Sequence, residues 1–439
     1  MTRQFSLAVL VCMVIASFFV AEYLQPPLSQ AAYVTESIKI KDIQRKGRLI
    51  QIQGGGYLVK TFHLSEEIRP GDTINFRAKK IDVRDSTQKY YSESYSKYLL
   101  SQKIYYQTDP AEIKLIQRGR DLYTLRYHIR EKLSAAIDSL YPKESAMIKA
   151  ITYGDKSQMS KEQNQLFSIT GTSHVLALSG FHVGILGVLI NIALEQVSVK
   201  KRGLITLFIL AIYAFLTGLR ASILRATSFF VLYYLAFLKN KRYNLFASAA
   251  LMASLLLMTN PYYIYDMGFV LSFAGVFSIA CFYPLLKHLI APYSLSQSKI
   301  VKMSLVTLAA QGFTLPLVAY YFGTVSLVSI PANLVIVPLI SILMPLSIIS
   351  LGLHMASFYI PLLYLMDMGL ASVVKLIQRL VIKSAEVFAA VPYSHINLKL
   401  SQGKLMLLMT LLVGLYLIWE VKIIRENKYE PERGTKLIT

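Results

Sequence analysis

Charge is scarce in this chain. Only 16% of its 439 residues are Asp, Glu, Lys or Arg, against 54% hydrophobic residues, and the mean hydropathy is positive. That composition excludes an ordinary soluble globular protein and leaves a polytopic membrane protein. Cysteine is nearly absent too. Cys12 and Cys281 both fall inside apolar runs, which excludes a disulfide framework and a zinc-type ligand pattern and reads as packing. No H-E-x-x-H, Walker or dinucleotide fingerprint occurs, so the chain carries no recognisable motif for metal hydrolysis or nucleotide binding. Acidic residues are the scarcer charge: 25 stand against 46 Lys and Arg, for a formal net charge of +21. Basic cytoplasmic loops account for part of that excess, and the rest permits an anionic partner.

The chain opens with an apolar run from Phe5 to Ala21, long enough to cross a bilayer and read as an uncleaved anchor (residues 1–25). A cleaved signal peptide, with Ser29-Gln30-Ala31 at the cleavage site, is the competing reading. Residues 26–118 change character. Leu49-Ile50-Gln51-Ile52-Gln53 and Thr73-Ile74-Asn75-Phe76-Arg77-Ala78 alternate with the period of half-buried strands, and Gly54-Gly55-Gly56 and Arg69-Pro70-Gly71-Asp72 supply turns. About five short strands in this length suit a small OB-like barrel, a scaffold that binds nucleic acid strands or sugars. YYSESYSKYLLSQKIYY (90–106) sets tyrosines among lysines. Tyr90, Tyr91, Tyr95, Lys97, Tyr98 and Lys103 therefore stand as candidates for stacking on bases and meeting phosphates. Tyrosine anchors at a membrane interface are the alternative. Residues 119–170 read as an amphipathic helical connector.

Residues 171–424 read as a multi-span domain, with apolar stretches at 174–195, 204–218, 222–238, 245–259, 267–286, 303–322, 325–340, 341–360 and 404–421. With the first anchor this gives about ten spans. Lys200-Lys201-Arg202, Lys239 with Lys241-Arg242, and Lys287 through Lys302 all belong in the cytoplasm by the positive-inside rule. Counting back sets residues 33–116 outside. Counting forward sets the basic tail (425–439) inside if residues 367–391 form an interfacial helix.

Polar residues at membrane depth cost roughly 3 kcal/mol or more when ionised, so they face a bundle interior, pair, or line a wet path. His174, Ser179, Gly180 and His182 lie in GTSHVLALSGFHVGILG; Arg220, Ser222 and Arg225 in LTGLRASILRA; Gln311, Pro316 and Asn333 in later spans. Ser179-Gly180 is a candidate helix break, tolerated where backbone lines a cavity or packs on protein. The plainer reading is close helix packing at glycines with histidines bonding across helices. Arg220 reads as a snorkelling residue near the outer end of a hairpin. Arg225 is deeper, paired with an acid such as Asp266 or offered to a passing anion. Asp266 ends the short loop NPYYIYD and reads as interfacial. Pro316, Pro331, Pro338 and Pro345 punctuate the later stretches as in transport folds with discontinuous helices, although prolines also kink plain ones. Ser179 with nearby His182 invites a serine-hydrolase reading. Ala177 stands where a G-x-S-G pattern wants glycine, however, and His288, His354 and His395 fall at ends or loops, so no catalytic residue is assigned.

Four stretches in order, GTSHVLALSGFHVGIL (171–186), YAFLTGLRASILRA (213–226), NPYYIYDMGFVLSFAGV (260–276) and AAQGFTLPLVAYYFGTVSLVSIPANLVIVP (309–338), closely resemble the ComEC family of competence proteins. The resemblance covers nearly the whole chain. It implies a channel in the bacterial cytoplasmic membrane that admits one DNA strand, received outside by the OB-like domain. His174, Ser179, His182, Arg225, Gln311 and Asn333 then shape the path. It also implies a DNA receptor, a translocation motor and a separate nuclease as partners, and allows a homo-oligomer. Many members end in a metallo-β-lactamase-like domain whose H-x-H-x-D-H cluster is missing here, so no metal, cofactor or nuclease activity is expected of this polypeptide. A transporter or scaffold for another anionic or envelope polymer is the alternative.

Overall fold

The computed structural model describes residues 3–23, 32–46, 48–64, 66–85, 93–293, 298–357, 359–360 and 362–429. The chain divides into two compact units. One holds residues 1–164, 173–270 and 339–382; the other holds 165–172, 271–338 and 383–439.

The first unit begins with helix α1 (Arg3–Tyr23), where Cys12 is exposed rather than packed. The barrel comes next: β1 (Ala32–Lys46), β2 (Leu49–Gly54), β3 (Tyr57–Thr61), β4 (Thr73–Asp82), helix α2 (Glu93–Ser101), β5 (Tyr106–Thr108) and β6 (Ile113–Gln117). β1 is long because it serves two partners. Its first half pairs with β4 and its second with β2, the register slipping between Ile40 and Asp42; such a bulge bends and twists a strand. β2–β3, parallel β3–β5, β5–β4 and β4–β1 then close a five-stranded ring with β6 added on β4. Closure removes the ring's exposed edges. The alternation visible in the sequence points Ile38, Ile40, Ile52, Val59, Ile74 and Phe76 into one core. Gly55 and Gly56 both take positive φ, which a two-residue I′ hairpin loop requires.

Two carboxylates lock the barrel to the helical connector. Buried Asp72 accepts the N–H groups of Arg69 (2.9 Å) and Gly119 (2.8 Å) and pairs with Arg118 (3.0 Å). Asp121 caps α3 (Leu122–Leu140) by accepting from the Tyr123 and Thr124 N–H groups, and Lys39 of β1 meets its other oxygen at 2.6 Å. The connector continues as α4 (Ser145–Tyr153) and α5 (Lys161–Ile169).

Next come α6 (Ser173–Leu176), α7 (Gly180–Ala193), α8 (Val199–Leu216), α9 (Ala221–Leu238), α10 (Leu245–Thr259), a 3-10 turn (Pro261–Tyr265) and α11 (Met267–Ile290). α12 (Lys299–Phe322), β7 (Thr324–Ser326), α13 (Ser329–Ser357), α14 (Leu363–Ala389), β8 (His395–Asn397) and α15 (Gln402–Tyr429) complete the chain. Among the described residues, five helices are long and apolar enough to cross a membrane: α9, α11, α12, α13 and the Gln402–Lys422 part of α15. Val9–Ala21, Gly180–Ala193 and Leu245–Thr259 are shorter apolar helices.

One expectation fails at the prolines, and of the two readings left open for them the plain helix holds. Stretches 325–340 and 341–360 are not two spans: α13 runs through Pro331, Pro338 and Pro345 without a break, and α12 runs through Pro316. The physical reason is local. A proline within a helix forfeits one N–H bond, whereas a break at lipid depth would strand several backbone groups.

Close packing of α8 on α9 depends on Gly203. A Cβ there would collide with the Tyr234 ring, which is itself fixed by a 2.6 Å bond from its hydroxyl to the Lys200 carbonyl. Gly203→Ala should lower the melting temperature of the detergent-held protein, with a cost of about 1–3 kcal/mol. Gly414→Ala, where a Cβ meets open space, should not. At the barrel, burial pushes the Asp121 carboxyl up, but Lys39 and Thr124 outweigh it and hold the group below its usual range. Its contribution is therefore present above the unfolded pKa and lost as pH falls through the depressed folded value. Asp121→Asn should flatten the loss of stability between about pH 5 and pH 3 in acid titrations.

Candidate functional site

The stretch that the sequence singled out is a broken helix. α6 stops at Leu176, residues 177–179 leave helical geometry, and α7 starts at Gly180 with Ser179 as its N-cap. A new helix start within an apolar stretch must satisfy its first N–H groups without water. Ser179 Oγ accepts from the Phe181 N–H, and His182 Nδ1 accepts the Ser179 N–H, both at 3.3 Å. This is a capping box with histidine where Glu or Gln is usual. A carboxylate there would have to be desolvated, while a neutral imidazole supplies an acceptor at lower cost. An accepting Nδ1 puts the ring proton on Nε2, and Nε2 is buried with no partner among the described residues. The break is tied to α9 by Ser222, whose hydroxyl donates to the Leu178 carbonyl at 2.7 Å. Gly180 has only Ala226 within reach of a Cβ, at 3.5 Å, and His174 is exposed on α6. The Ser179 hydroxyl takes a main-chain N–H and His182 reads main chain rather than hydroxyl, so the pair lacks the nucleophile–base bond of a hydrolase.

Arg220 stands beside this break because α8 ends in a Schellman motif. Leu219 N–H bonds the Ala214 carbonyl and Gly218 N–H bonds that of Phe215, with Gly218 at φ +85°. α4 ends on Gly154, also left-handed at φ +82°, and a Cβ there would run into Leu178 and lie 3.1 Å from Arg220 Nη1. Three further cations, not singled out from the sequence, join Arg220. Lys156 follows Gly154, and burial together with the nearby Arg220 charge lowers its pKa. Arg130 lies over the Tyr153 ring at 5.1 Å. Buried Arg126 donates to the Lys41 carbonyl of the barrel at 3.1 Å and approaches Gly218. Among the described residues none of these four cations sits in an ion pair. Asp42, Asp121 and Asp155 are the acids that act on Arg126 and Arg220 at longer range. The result is a positive corner between barrel, connector and the α8–α9 turn.

Arg225 and Asp266 form a second cluster in the same unit. Asp266 is buried, at 8% exposure, not interfacial. One oxygen accepts from the Phe269 N–H at 2.7 Å and so caps α11; the other accepts from the Gln102 amide, just after α2, at 2.7 Å. Asn260 reaches the Ser101 carbonyl at 2.9 Å. Arg225 donates to the Gly268 carbonyl at 3.0 Å and faces the Phe269 ring.

In the other unit, Gln311 donates to the Ser329 hydroxyl (3.0 Å) and Asn333 to the Ser329 carbonyl (2.7 Å). The Asn333 Oδ1 is buried without a partner among the described residues. Pro316 lies buried in α12, and one turn before it Phe313 N–H bonds Ser278 of α11 at 2.7 Å.

Of the tyrosine stretch, Tyr90 and Tyr91 lie outside the described residues. Tyr95 packs with Tyr262 on a small core beneath α2, Lys97 lies over the Tyr265 ring at 4.7 Å, Tyr98 is 38% exposed, and Lys103 takes a positive φ in the turn after α2. These residues surround the docking of α2 on the 3-10 turn. The barrel carries another aromatic surface that the sequence reading missed: a groove of about 420 Å³ lined by Leu49, Lys60, Thr61, Phe62, Gln107 and Asp109, with Phe62 76% exposed. Among the described residues no group of His, Cys, Asp and Glu could hold a metal ion.

A small closed barrel together with a set of long apolar helices defines a multi-pass membrane protein. Residues 151–422 match the Competence protein family, and the chain belongs to that family. It is 28% identical over 247 residues to ComE operon protein 3 of Bacillus subtilis (strain 168), covering 56% of this chain and 31% of that protein. It is also 28% identical over 282 residues to an uncharacterized protein of Aquifex aeolicus (strain VF5), covering 62% of this chain and 65% of that one. The chain thus matches less than two thirds of either relative's length. No solved structure matches.

The capping box makes a sharp prediction. His182→Leu should lose the Ser179 N–H acceptor and destabilise the start of α7 by about 1 kcal/mol, read as faster hydrogen exchange at residues 179–183. His182→Gln, which keeps an acceptor, should recover most of that protection.

Proposed function

We propose that this protein is the channel through which single-stranded DNA crosses the bacterial cytoplasmic membrane during competence, with the barrel outside as its receiving domain. Membership of the Competence protein family supports a role in DNA uptake. The observation that carries the channel reading is the corner of Arg126, Arg130, Lys156 and Arg220, which lacks ion pairs among the described residues. Gathering like charges costs free energy unless an anion arrives, and a phosphate backbone supplies regularly spaced anions. The barrel groove with Phe62 and Lys60 offers the combination of aromatic face and cation that strands use. Basic residues at 200–202, in the first turn of α8, and at 239–242, after α9, support a cytoplasmic position for those ends by the positive-inside rule, and hence an outer position for Arg220 and the barrel. The polar break at Ser179–His182 then begins the descent from that corner. Strand separation, degradation of the second strand and the driving force fall to a receptor, a nuclease and a motor acting with it.

The test is entry of labelled DNA into cells of a transformable host lacking the gene, restored with wild type or with Arg130→Gln plus Arg220→Gln at equal membrane abundance. DNA that binds outside but fails to enter without the gene, and enters at least about ten-fold less with the double substitution, is the expected result. With purified protein in nanodiscs, each lost phosphate contact should reduce the slope of log affinity against log salt by about 0.7. Normal entry on deletion rejects the channel and turns attention to another anionic polymer.

A further inference from the structure

Away from the cationic corner, the end of α3 meets α13 and α14 in a row of polar side chains that the proposed channel does not use. Ser139 Oγ stands 3.2 Å from His354 Nε2, and His354 Nδ1 stands 2.8 Å from Asp367 Oδ2. The second Asp367 oxygen accepts the Ser350 hydroxyl at 3.3 Å, and Ser350 in turn accepts from Tyr141 at 2.8 Å. Exposure falls along the row. Ser139 is open, the His354 side chain is 13% exposed and that of Asp367 only 1%. That order is what a nucleophile, its base and the acid that orients the base require, because the hydroxyl must meet substrate and the carboxylate must be shielded from water. With Nδ1–H donated to Asp367, the Nε2 lone pair faces the Ser139 hydroxyl. The hydroxyl also reaches the Ala136 carbonyl at 2.9 Å, and rotation about its C–O bond transfers its proton from that carbonyl to His354.

We propose that Ser139, His354 and Asp367 form a hydrolytic triad for carboxylic esters of apolar acyl chains. Ser139 Oγ attacks the ester carbonyl carbon as its proton passes to His354 Nε2. The tetrahedral adduct collapses, the C–O bond to the alcohol breaks, and His354 returns the proton to the leaving oxygen. Water then attacks the acyl-serine, giving a proton to His354 that is handed back to Ser139 as the carboxylic acid departs. Asp367 stays ionised and steadies the imidazolium throughout. Exposed Met355, Tyr359, Ile360, Leu362, Leu365 and Met366 lie between His354 and Asp367 in the chain and offer an acyl chain apolar surface.

The full chain in nanodiscs should be treated with an alkyl fluorophosphonate, the adduct located by peptide mass spectrometry, and hydrolysis of p-nitrophenyl octanoate followed in parallel. The expected result is one adduct, on Ser139, and ester turnover that falls about 1,000-fold or more in Ser139→Ala, His354→Gln and Asp367→Asn. Because the adduct is read on the wild-type chain, the outcome does not depend on whether the buried variants fold. A folded wild-type chain that stays unlabelled beside a fully labelled control hydrolase overturns the proposal, as does an adduct on another serine. Turnover that survives Ser139→Ala does the same.

Discussion

A carboxylate removed from water needs a full set of donors, and Asp266 shows how much structure that need organises. The desolvation penalty runs to several kcal/mol per ion. It is met here by the first turn of α11 on one side and by Gln102 on the other. One donor belongs to a membrane helix and the other to the segment just after the barrel's own helix. Arg225, bonded to the Gly268 carbonyl, brings α9 to the same point, and Asn260 adds a second link to the end of α2. The barrel is thus fastened to the membrane helices by the chemistry that makes a buried acid tolerable. Removing Gln102 would leave a charge half satisfied, a larger loss than one surface hydrogen bond.

The same economy governs the other polar positions. Where a helix must restart within an apolar stretch, the acceptor is an imidazole nitrogen; where cations gather, they do so beside the barrel and the α8–α9 turn. Buried Lys149 is the contrast. It is matched by Asp138 at 2.7 Å and Gln158 at 3.0 Å, as a cation with only a structural role should be. Arg130, Lys156 and Arg220 form no such ion pair among the described residues; Asp155 and Asp42 act on Arg220 only at longer range.

Much of this was legible in the sequence where a period or a turn residue enforces it. The barrel's alternating Ile38, Ile40, Ile74 and Phe76 declare a sheet face, and Ser179-Gly180 declares a break. Proline spacing misled because lipid punishes a broken helix more than a missing N–H, so α13 stays whole. Lys156 and Arg130 looked like ordinary charges of an amphipathic connector, since nothing local marks that Gly154 and Gly218 will turn them toward Arg220. Asp266 read as interfacial from its loop, and only the fold brings Gln102 to bury it. His354 was set aside as a helix-end residue for the same reason: Ser139 and Asp367 reach it from other helices, and pairwise spacing carries no trace of that meeting.

The packing of α1 against α10 bears on biogenesis. About 220 residues separate the end of α1 at Tyr23 from the start of α10 at Leu245. At ordinary synthesis rates, the first helix waits roughly ten to forty seconds for its partner. During that interval α1 lacks its α10 partner while the barrel, whose strands all lie between the two helices in the chain, can complete itself. The order of packing is therefore barrel first, with α1 meeting α10 only afterwards.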